Sequence, residues 1–174
     1  MKKPATFIVV LLLAVHSICV ADTFKKASRV LRKQVLAEAK WALGQQPVTV
    51  TSAISERSAG GKHDFYSEGD YWWPNPEDPS APYIQKDGLT NPNNFVAHRL
   101  AMIRFSKIVG SLASAYRITR DEKYAQHAVH HLRAWFVDSA TYMTPHLLYA
   151  QAIKGRFTGR GIDINDAIQL IEVA

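Results

Sequence analysis

The sequence is poorest in cysteine, because Cys19 is the only one among 174 residues. A single thiol forms no internal disulfide and no thiolate metal cluster, so a small disulfide-stabilised domain is excluded. Long runs of lysine and arginine are also missing, and the formal net charge is only +6. Because nucleic acids are recognised through extended basic surfaces, we expect no nucleic acid partner.

An apolar run near the N-terminus is too short to span a bilayer. It covers Phe7–Val15, follows Lys2 and Lys3, and precedes the small residues of Cys19–Ala21. These features predict a cleaved export signal over residues 1–21, no membrane span, and a periplasmic or secreted protein. Because two lysines leave with the signal, the net charge falls to +4. A buried N-terminal helix and a lipid anchor on the cysteine stay open as alternatives.

Helical periodicity marks three segments of the mature chain: residues 23–44, residues 94–119, and a stretch that begins at Asp121. Their apolar residues recur at spacings of three and four: Phe24, Ala27, Leu31, Val35, Ala39; Ala101, Phe105, Ile108, Leu112, Tyr116; Tyr124, Ala128, His131, Leu132, Trp135. The short link at residues 118–121 predicts that the second and third helices form an antiparallel hairpin.

The last segment, residues 164–174, also has helical period. Its apolar residues are Ile168, Leu170, Ile171 and Val173. Three helices supply only part of a core for these side chains to pack on. We therefore interpret residues 22–174 as the N-terminal portion of a domain in a longer protein.

Between the first two helices, residues 47–94 contain too much glycine and proline for a long helix. Six of the 18 aromatic residues lie within 19 positions of this segment: Phe65, Tyr66, Tyr71, Trp72, Trp73 and Tyr83. Such aromatic density is typical of an ordered loop, and long ordered loops are usually functional.

Several side chains of this loop suit a sugar-binding cleft: His63, Tyr66, Tyr71, Trp72 and Trp73. Flat rings pack on the apolar faces of pyranoses, and polar groups fix the hydroxyls. An aromatic plug at the end of a helical bundle explains the same composition equally well.

Three arginines suit an anionic ligand. Arg99 follows Asn93 and Asn94, which are candidate caps at the positive end of the second helix. Arg156 and Arg160 lie in a glycine-rich segment that could bring both guanidinium groups against one substrate.

Metal ligation is the weaker interpretation of the histidines and carboxylates. The set His63, Asp64, Glu68 and Asp70 matches no established ligand spacing. His127 and His131 lie four positions apart on a helix and could converge, but a packed His131 beside solvated neighbours explains them better. We therefore expect no metal site.

Two blocks of the sequence are specific enough to be compared with known families. They read HDFYSEGDYWWPNP at residues 63–76, followed by APYI at 81–84, and LYAQAI at residues 148–153, followed by GRGI at 159–162. In this order they resemble the alginate lyase family of exported bacterial enzymes that degrade polysaccharides. The resemblance implies an all-α fold, an incomplete (α/α) toroid of antiparallel helical hairpins with long ordered loops.

The resemblance also implies a substrate, which is an anionic polysaccharide such as alginate or another polyuronate, cleaved by β-elimination without a cofactor. In the family an Asn-His pair and a later Arg and Tyr group carry the chemistry. Because Asn93-Asn94 is not followed by histidine, the catalytic residues stay unassigned. The residues expected to line the substrate cleft are His63, Tyr66, Tyr71, Trp72, Trp73, Arg99, Arg156 and Arg160.

Two other functions stay open at this stage. A glycan-binding or scaffold protein could be built from the same hairpins without catalysis. A glycoside hydrolase on a similar toroid would need two carboxylates flanking one bond.

Overall fold

Three helices dominate the computed structural model, which describes the backbone of residues 5–162 and 164–173 and the side chains of residues 23, 25–162 and 165–173. Helix α1 covers Ala5–Leu43, α2 covers Ala97–Thr119 and α3 covers Glu122–Phe136. Helix α1 therefore begins well before residue 23, where the sequence predicted its start. The predicted export signal lies outside the residues whose side chains are described. Within the described part, no helix is long and apolar enough to cross a membrane.

The predicted hairpin of α2 and α3 is confirmed. Asp121 caps α3 by accepting a hydrogen bond from the Lys123 amide at 3.1 Å. Near the other end of the pair, Phe105 stacks on Trp135 with ring centroids 4.8 Å apart. Because an early residue of α2 meets a late residue of α3, the two helices run antiparallel.

The predicted asparagine cap of α2 is wrong. The cap residue is Val96, which makes no side-chain capping bond. The Asn94 side-chain amide instead donates to the Gly69 carbonyl at 2.9 Å. This asparagine therefore ties the preceding loop to the helix start, a contact that local spacing does not reveal.

The all-α prediction needs a correction, because the chain is helix-rich but also contains short strands. Strand β1 (Tyr66–Glu68) pairs in parallel with β4 (Tyr149–Ala152). Strand β2 (Trp72–Trp73) pairs antiparallel with β3 (Ile84–Gln85). Strands of two to four residues have no readable periodicity, so only their long-range partners define them.

Two apolar clusters form the core. One joins α2 and α3 to the loop and to β4, through Val50, Phe65, Ala101, Met102, Phe105, Val109, Trp135, Met143 and Ala150. The other packs α1 on the hairpin, through Ala39, Ala42, Ile108, Leu112, Ala115, Tyr124 and Ala128. The first cluster places the aromatic loop directly on the helices, so the loop is an integral part of the fold.

The C-terminal segment is not the single helix that its period predicted. It forms a four-residue helix α4 (Ile164–Ala167) and then a 3-10 turn over Ile168–Glu172, like the earlier 3-10 turn at Val50–Ser52. Leu170 and Val173 pack against the first cluster, whereas Ile168 and Ile171 are 54% and 71% exposed. The predicted shortage of packing partners therefore holds for two of its four apolar side chains.

Candidate functional site

Trp72 and Arg160 meet at Gly69, in the turn that connects β1 to β2, and Arg156 lies over the Trp72 ring. A methyl group placed on Gly69 would lie 2.7 Å from Arg160 Nη2 and 2.8 Å from Trp72 Cδ1. The Arg156 guanidinium lies 5.3 Å from the centre of the Trp72 ring and donates from Nε to the Tyr83 carbonyl at 2.9 Å. Two cations and one indole, all predicted from sequence, therefore share one surface.

Arg160, like Arg156, donates to a backbone carbonyl rather than to a carboxylate. Its Nε donates to the Gln151 carbonyl oxygen at 2.7 Å, and its Nη2 lies 3.5 Å from Gln151 Oε1. Among the residues that the structure describes, no carboxylate lies within ion-pair distance of its guanidinium. Partial burial lowers the pKa of Arg160 below its usual value, but an arginine stays protonated at neutral pH. The group can therefore accept an external anion.

Arg99, by contrast, is held by carboxylates of this chain. Its Nε donates to Asp166 Oδ1 at 2.6 Å and its Nη1 to Asp70 Oδ1 at 2.8 Å. Asp166 is buried and also accepts from Ser67 Oγ at 2.6 Å and from Gln151 Nε2 at 2.9 Å. Arg99 therefore fastens helix α2 to the loop and to the C-terminal segment.

Beside the site, the buried Glu68 carboxylate pairs with Arg57, whose side chain is 40% exposed. Arg57 binds it through two hydrogen bonds of 2.6 and 2.7 Å, the Phe95 amide donates at 2.6 Å, and the Tyr66 hydroxyl donates at 3.0 Å. Although burial raises the pKa of Glu68, the hydrogen bonds from Arg57, Phe95 and Tyr66 outweigh it, and the pKa lies below its usual value. Burial and the neighbouring Glu68 raise the pKa of Tyr66. Tyr66 is thus a poor proton acceptor here.

A cavity of about 290 Å³ adjoins this ion pair. Its walls are formed by Arg57, Tyr66, Ala152, Ile153, Lys154, Gly155, Arg156, Phe157 and Thr158. Three of these residues are cationic, and Glu68 is the partner of only one of them, Arg57. The cavity therefore presents net positive charge next to the indole of Trp72, which suits an acidic sugar.

The other predicted site residues lie apart from this arrangement. The ring Nδ1 of His63 is 2.7 Å from the Tyr142 carbonyl, and the two rings stack at 4.4 Å. Trp73 donates from Nε1 to the Leu89 carbonyl at 2.8 Å, under the ammonium of Lys86. Tyr71 is 41% exposed. His63 and Trp73 therefore support the loop, whereas Tyr71 is open to solvent.

No group of three metal-ligating side chains occurs among the described residues. His127 and His131 do approach each other, but both direct Nε2 at the Gln45 carbonyl, at 3.0 and 3.3 Å. His131 is buried, as the sequence predicted. This pair therefore joins α3 to the residues after α1.

Four residues of the site escaped prediction: Arg57, Gln151, Asp166 and Glu68 as an ion-pair partner. Gln151 has a backbone φ of 57°, in the left-handed region that residues other than glycine rarely adopt. Its position inside the LYAQAI block was the one signal available from sequence. The roles of Arg57 and Asp166 depend on partners 11 and 67 positions away.

Comparisons with known proteins show the family of the chain. The profile of the alginate lyase family matches residues 49–174. A crystal structure of an alginate lyase from Bacteroides ovatus is 38% identical, with a TM-score of 0.77. That match covers 87% of this chain and 43% of the other, so the chain spans less than half the length of this relative. No curated protein matches the chain. Because the family profile covers the loop, the hairpin and the site, the chain belongs to the alginate lyase family.

Proposed function

We propose that this chain binds an acidic polysaccharide, alginate or a related polyuronate, as part of a lyase that cleaves it by β-elimination. The observation that carries the proposal is the Arg160 guanidinium, which has no carboxylate partner among the described residues and lies beside Trp72 and Gly69. A guanidinium fork matches a uronate carboxylate, and an indole matches a sugar face. Family membership and the B. ovatus relative support the same substrate class.

The chemistry explains why such cations matter. β-Elimination removes a proton next to the uronate carboxylate, and neutralising that carboxylate makes the proton easier to remove. A base then takes the proton and an acid protonates the departing glycosidic oxygen. Arg160 and Arg156 suit the first task. Tyr66 does not suit the base, because its pKa is raised and its hydroxyl donates to Glu68.

The wider architecture is part of the proposal. Helix α1 packs antiparallel on α2, since Gln45 just after α1 contacts Arg104 early in α2, and α3 returns antiparallel again. Three such helices support an incomplete (α/α) toroid whose loops carry the substrate site. We further propose that residues 1–21 are an export signal that is removed by cleavage. N-terminal sequencing of the exported protein should then give Asp22 as the first residue.

Binding measurements test the substrate. Trp72→Ala and Arg160→Ala should each weaken binding of alginate about tenfold, which corresponds to one stacking or charge-assisted contact. Arg160→Ala should leave binding of a neutral glucan unchanged. Trp41→Ala on α1 and Arg133→Ala on α3 are matched controls, because both side chains are partly exposed outside the site. Equal alginate affinity in all four variants would reject the site.

Product analysis tests the reaction. Elimination leaves an unsaturated uronate that absorbs ultraviolet light, hydrolysis leaves none, and a binding protein leaves the polymer intact. The assay uses this chain alone and a full-length relative with the matching tryptophan and arginine. Saturated products from the relative would contradict the lyase assignment.

A further inference from the structure

Gln151 occupies a strained position in the centre of the candidate site. Its φ of 57° is in the left-handed region, which is unfavourable for a residue other than glycine. Glycine would adopt this backbone without that cost. A glutamine at such a position indicates that its side chain makes contacts that offset the backbone strain.

Two buried groups hold Gln151 in this conformation. Its backbone amide donates to Ser67 Oγ at 2.9 Å, and its side-chain Nε2 donates to Asp166 Oδ2 at 2.9 Å. Ser67 and Asp166 are themselves joined by a hydrogen bond of 2.6 Å. Because Gln151, Ser67 and Asp166 are all 5% exposed or less, solvent does not compete for these bonds.

The oxygens of Gln151 are directed at Arg160. The backbone carbonyl accepts from Nε at 2.7 Å, and Oε1 lies 3.5 Å from Nη2. Both bonds lie along one edge of the guanidinium. Within the described residues no other hydrogen bond to this guanidinium is formed, so Nη1 keeps its donors for a ligand.

We propose that Gln151 is a positioning residue, which fixes the Arg160 guanidinium beside Trp72 and thereby sets the preference for acidic over neutral sugars. This inference rests on the proposed function for its ligand, but the orientation of Arg160 is a property of the free protein. Gln151 acts through Arg160 and needs no contact with the substrate.

The first test uses the protein without polysaccharide. Nuclear magnetic resonance of the arginine Nε–H groups should show Arg160 as a signal protected from exchange in the parent chain. Gln151→Met should raise the exchange rate of the Arg160 Nε–H about tenfold, because the side-chain hydrogen bond from residue 151 to Asp166 is lost. Gln34→Met, the same substitution on the exposed face of α1, should leave it unchanged. Unchanged protection in Gln151→Met would overturn the proposal.

A second variant guards against misfolding. Asparagine tolerates the left-handed region, but its side chain is one methylene shorter and reaches Asp166 and Arg160 less well. Gln151→Asn should therefore fold like the parent by circular dichroism and still lose protection of Arg160. A folded Gln151→Asn with parental protection would also overturn the proposal.

A double-mutant cycle then tests the effect on sugar preference. Gln151→Asn should weaken alginate binding about three- to tenfold without changing neutral glucan binding, and an unchanged alginate affinity would contradict the positioning role. Adding it to Arg160→Ala should cause no further loss, because Gln151 acts through that arginine. Additive losses, or equal losses for charged and neutral glycans, would contradict the positioning role. A parent chain that binds no alginate would reject the proposed function, and the resonance experiment would still decide the orientation of Arg160.

Discussion

The arginines in and around the candidate site differ in their partners, and the partner determines whether an arginine stabilises the fold or can bind a ligand. Arg57 and Arg99 pair with the buried carboxylates of Glu68 and Asp166. Breaking such pairs leaves an uncompensated buried charge, so these arginines hold the fold. Arg160 donates to a neutral carbonyl instead. Its charge is therefore available to a ligand.

The sequence predicted that arginines would serve the site but could not rank them. Arg99 and Arg160 looked alike as cations near glycine or asparagine residues. Their difference depends on Asp166, which lies 67 positions from Arg99, and on Gln151, whose carbonyl turns toward Arg160 through a left-handed backbone. Local spacing carries no information on either contact.

Gly69 allows a prediction at this scale. Its φ lies outside the left-handed region, so alanine fits the backbone, but the new methyl would occupy the space of Arg160 Nη2 and Trp72 Cδ1. The Arg160 guanidinium is the end of a flexible side chain, but the Trp72 indole is a rigid ring. Gly69→Ala should therefore cost about 1–3 kcal/mol of unfolding free energy and weaken alginate binding about tenfold by displacing both groups.

The matched control for this change is Gly61→Ala. A methyl on Gly61 would lie 3.7 Å from Asp64 Oδ2, an ordinary contact distance. Isothermal titration with alginate and urea unfolding of both variants separate the two effects. Parental alginate affinity in Gly69→Ala would show that the packing of Arg160 and Trp72 around this glycine is irrelevant to binding.

Among the elements, the long helices followed from sequence and the strands did not. The apolar stripe of α2 is buried at Ala101, Phe105, Ile108 and Leu112, as the period of three and four predicted. Strand β1 is three residues long and pairs with β4 more than 80 positions later. Such pairing is set by the packing of distant segments, which a single stretch of sequence does not encode.

Helix α3 carries a buried histidine whose titration affects stability. Burial lowers the pKa of His131 to about 4, and the neighbouring His127, His130 and Arg104 act in the same direction, against the opposing bond to Gln45. In the unfolded chain the pKa returns to about 6.5, so the unfolded state binds more protons between those two values. Stability is therefore full above about pH 6.5 and falls by up to ~3 kcal/mol as the pH decreases to about 4.

The corresponding substitution is His131→Leu. At pH 7 it should cost about 1 kcal/mol, because the bond to Gln45 is lost while His127 still contacts that carbonyl. Between pH 6.5 and 4 the variant should lose less stability than the parent, since no buried imidazole remains to be protonated. Urea unfolding at several pH values measures this difference. His130→Gln on the exposed side of α3 should change the pH profile less than His131→Leu does, because His130 is only a secondary cause of the lowered pKa of His131. A parental profile in His131→Leu would rule out His131 as the cause.

For the whole molecule, the first apolar cluster links binding surface and scaffold. Phe65 of the loop and Ala150 of β4 share it with Met102, Phe105 and Trp135 of the helices. Phe65, just before β1, and Ala150, in the strand that pairs with β1, are therefore anchored in the same core. A site supported in this way keeps its charged groups in place without a ligand, which lowers the entropic cost of binding.

The C-terminal segment exposes apolar side chains to solvent. Ile168 and Ile171 are 54% and 71% exposed, and the turn that carries them packs on α2, whose Leu100 and Ile103 are 58% and 38% exposed. Aliphatic side chains exposed on two elements in contact favour association with other apolar surface. We therefore expect residues 22–174, produced alone, to self-associate.

Replacing both isoleucines tests this expectation. Ile168→Ser with Ile171→Ser removes two side chains whose burial between molecules contributes about 1.5–3 kcal/mol each, so the dissociation constant should rise tenfold or more. Helical content should stay the same, because both side chains point to solvent and lie in a 3-10 turn rather than in a long helix. Sedimentation velocity over a range of concentrations gives the dissociation constant, and Ile54→Ser, at a loop position 72% exposed, serves as the control. A parent chain that sediments as a monomer at every concentration would show that this surface is not adhesive.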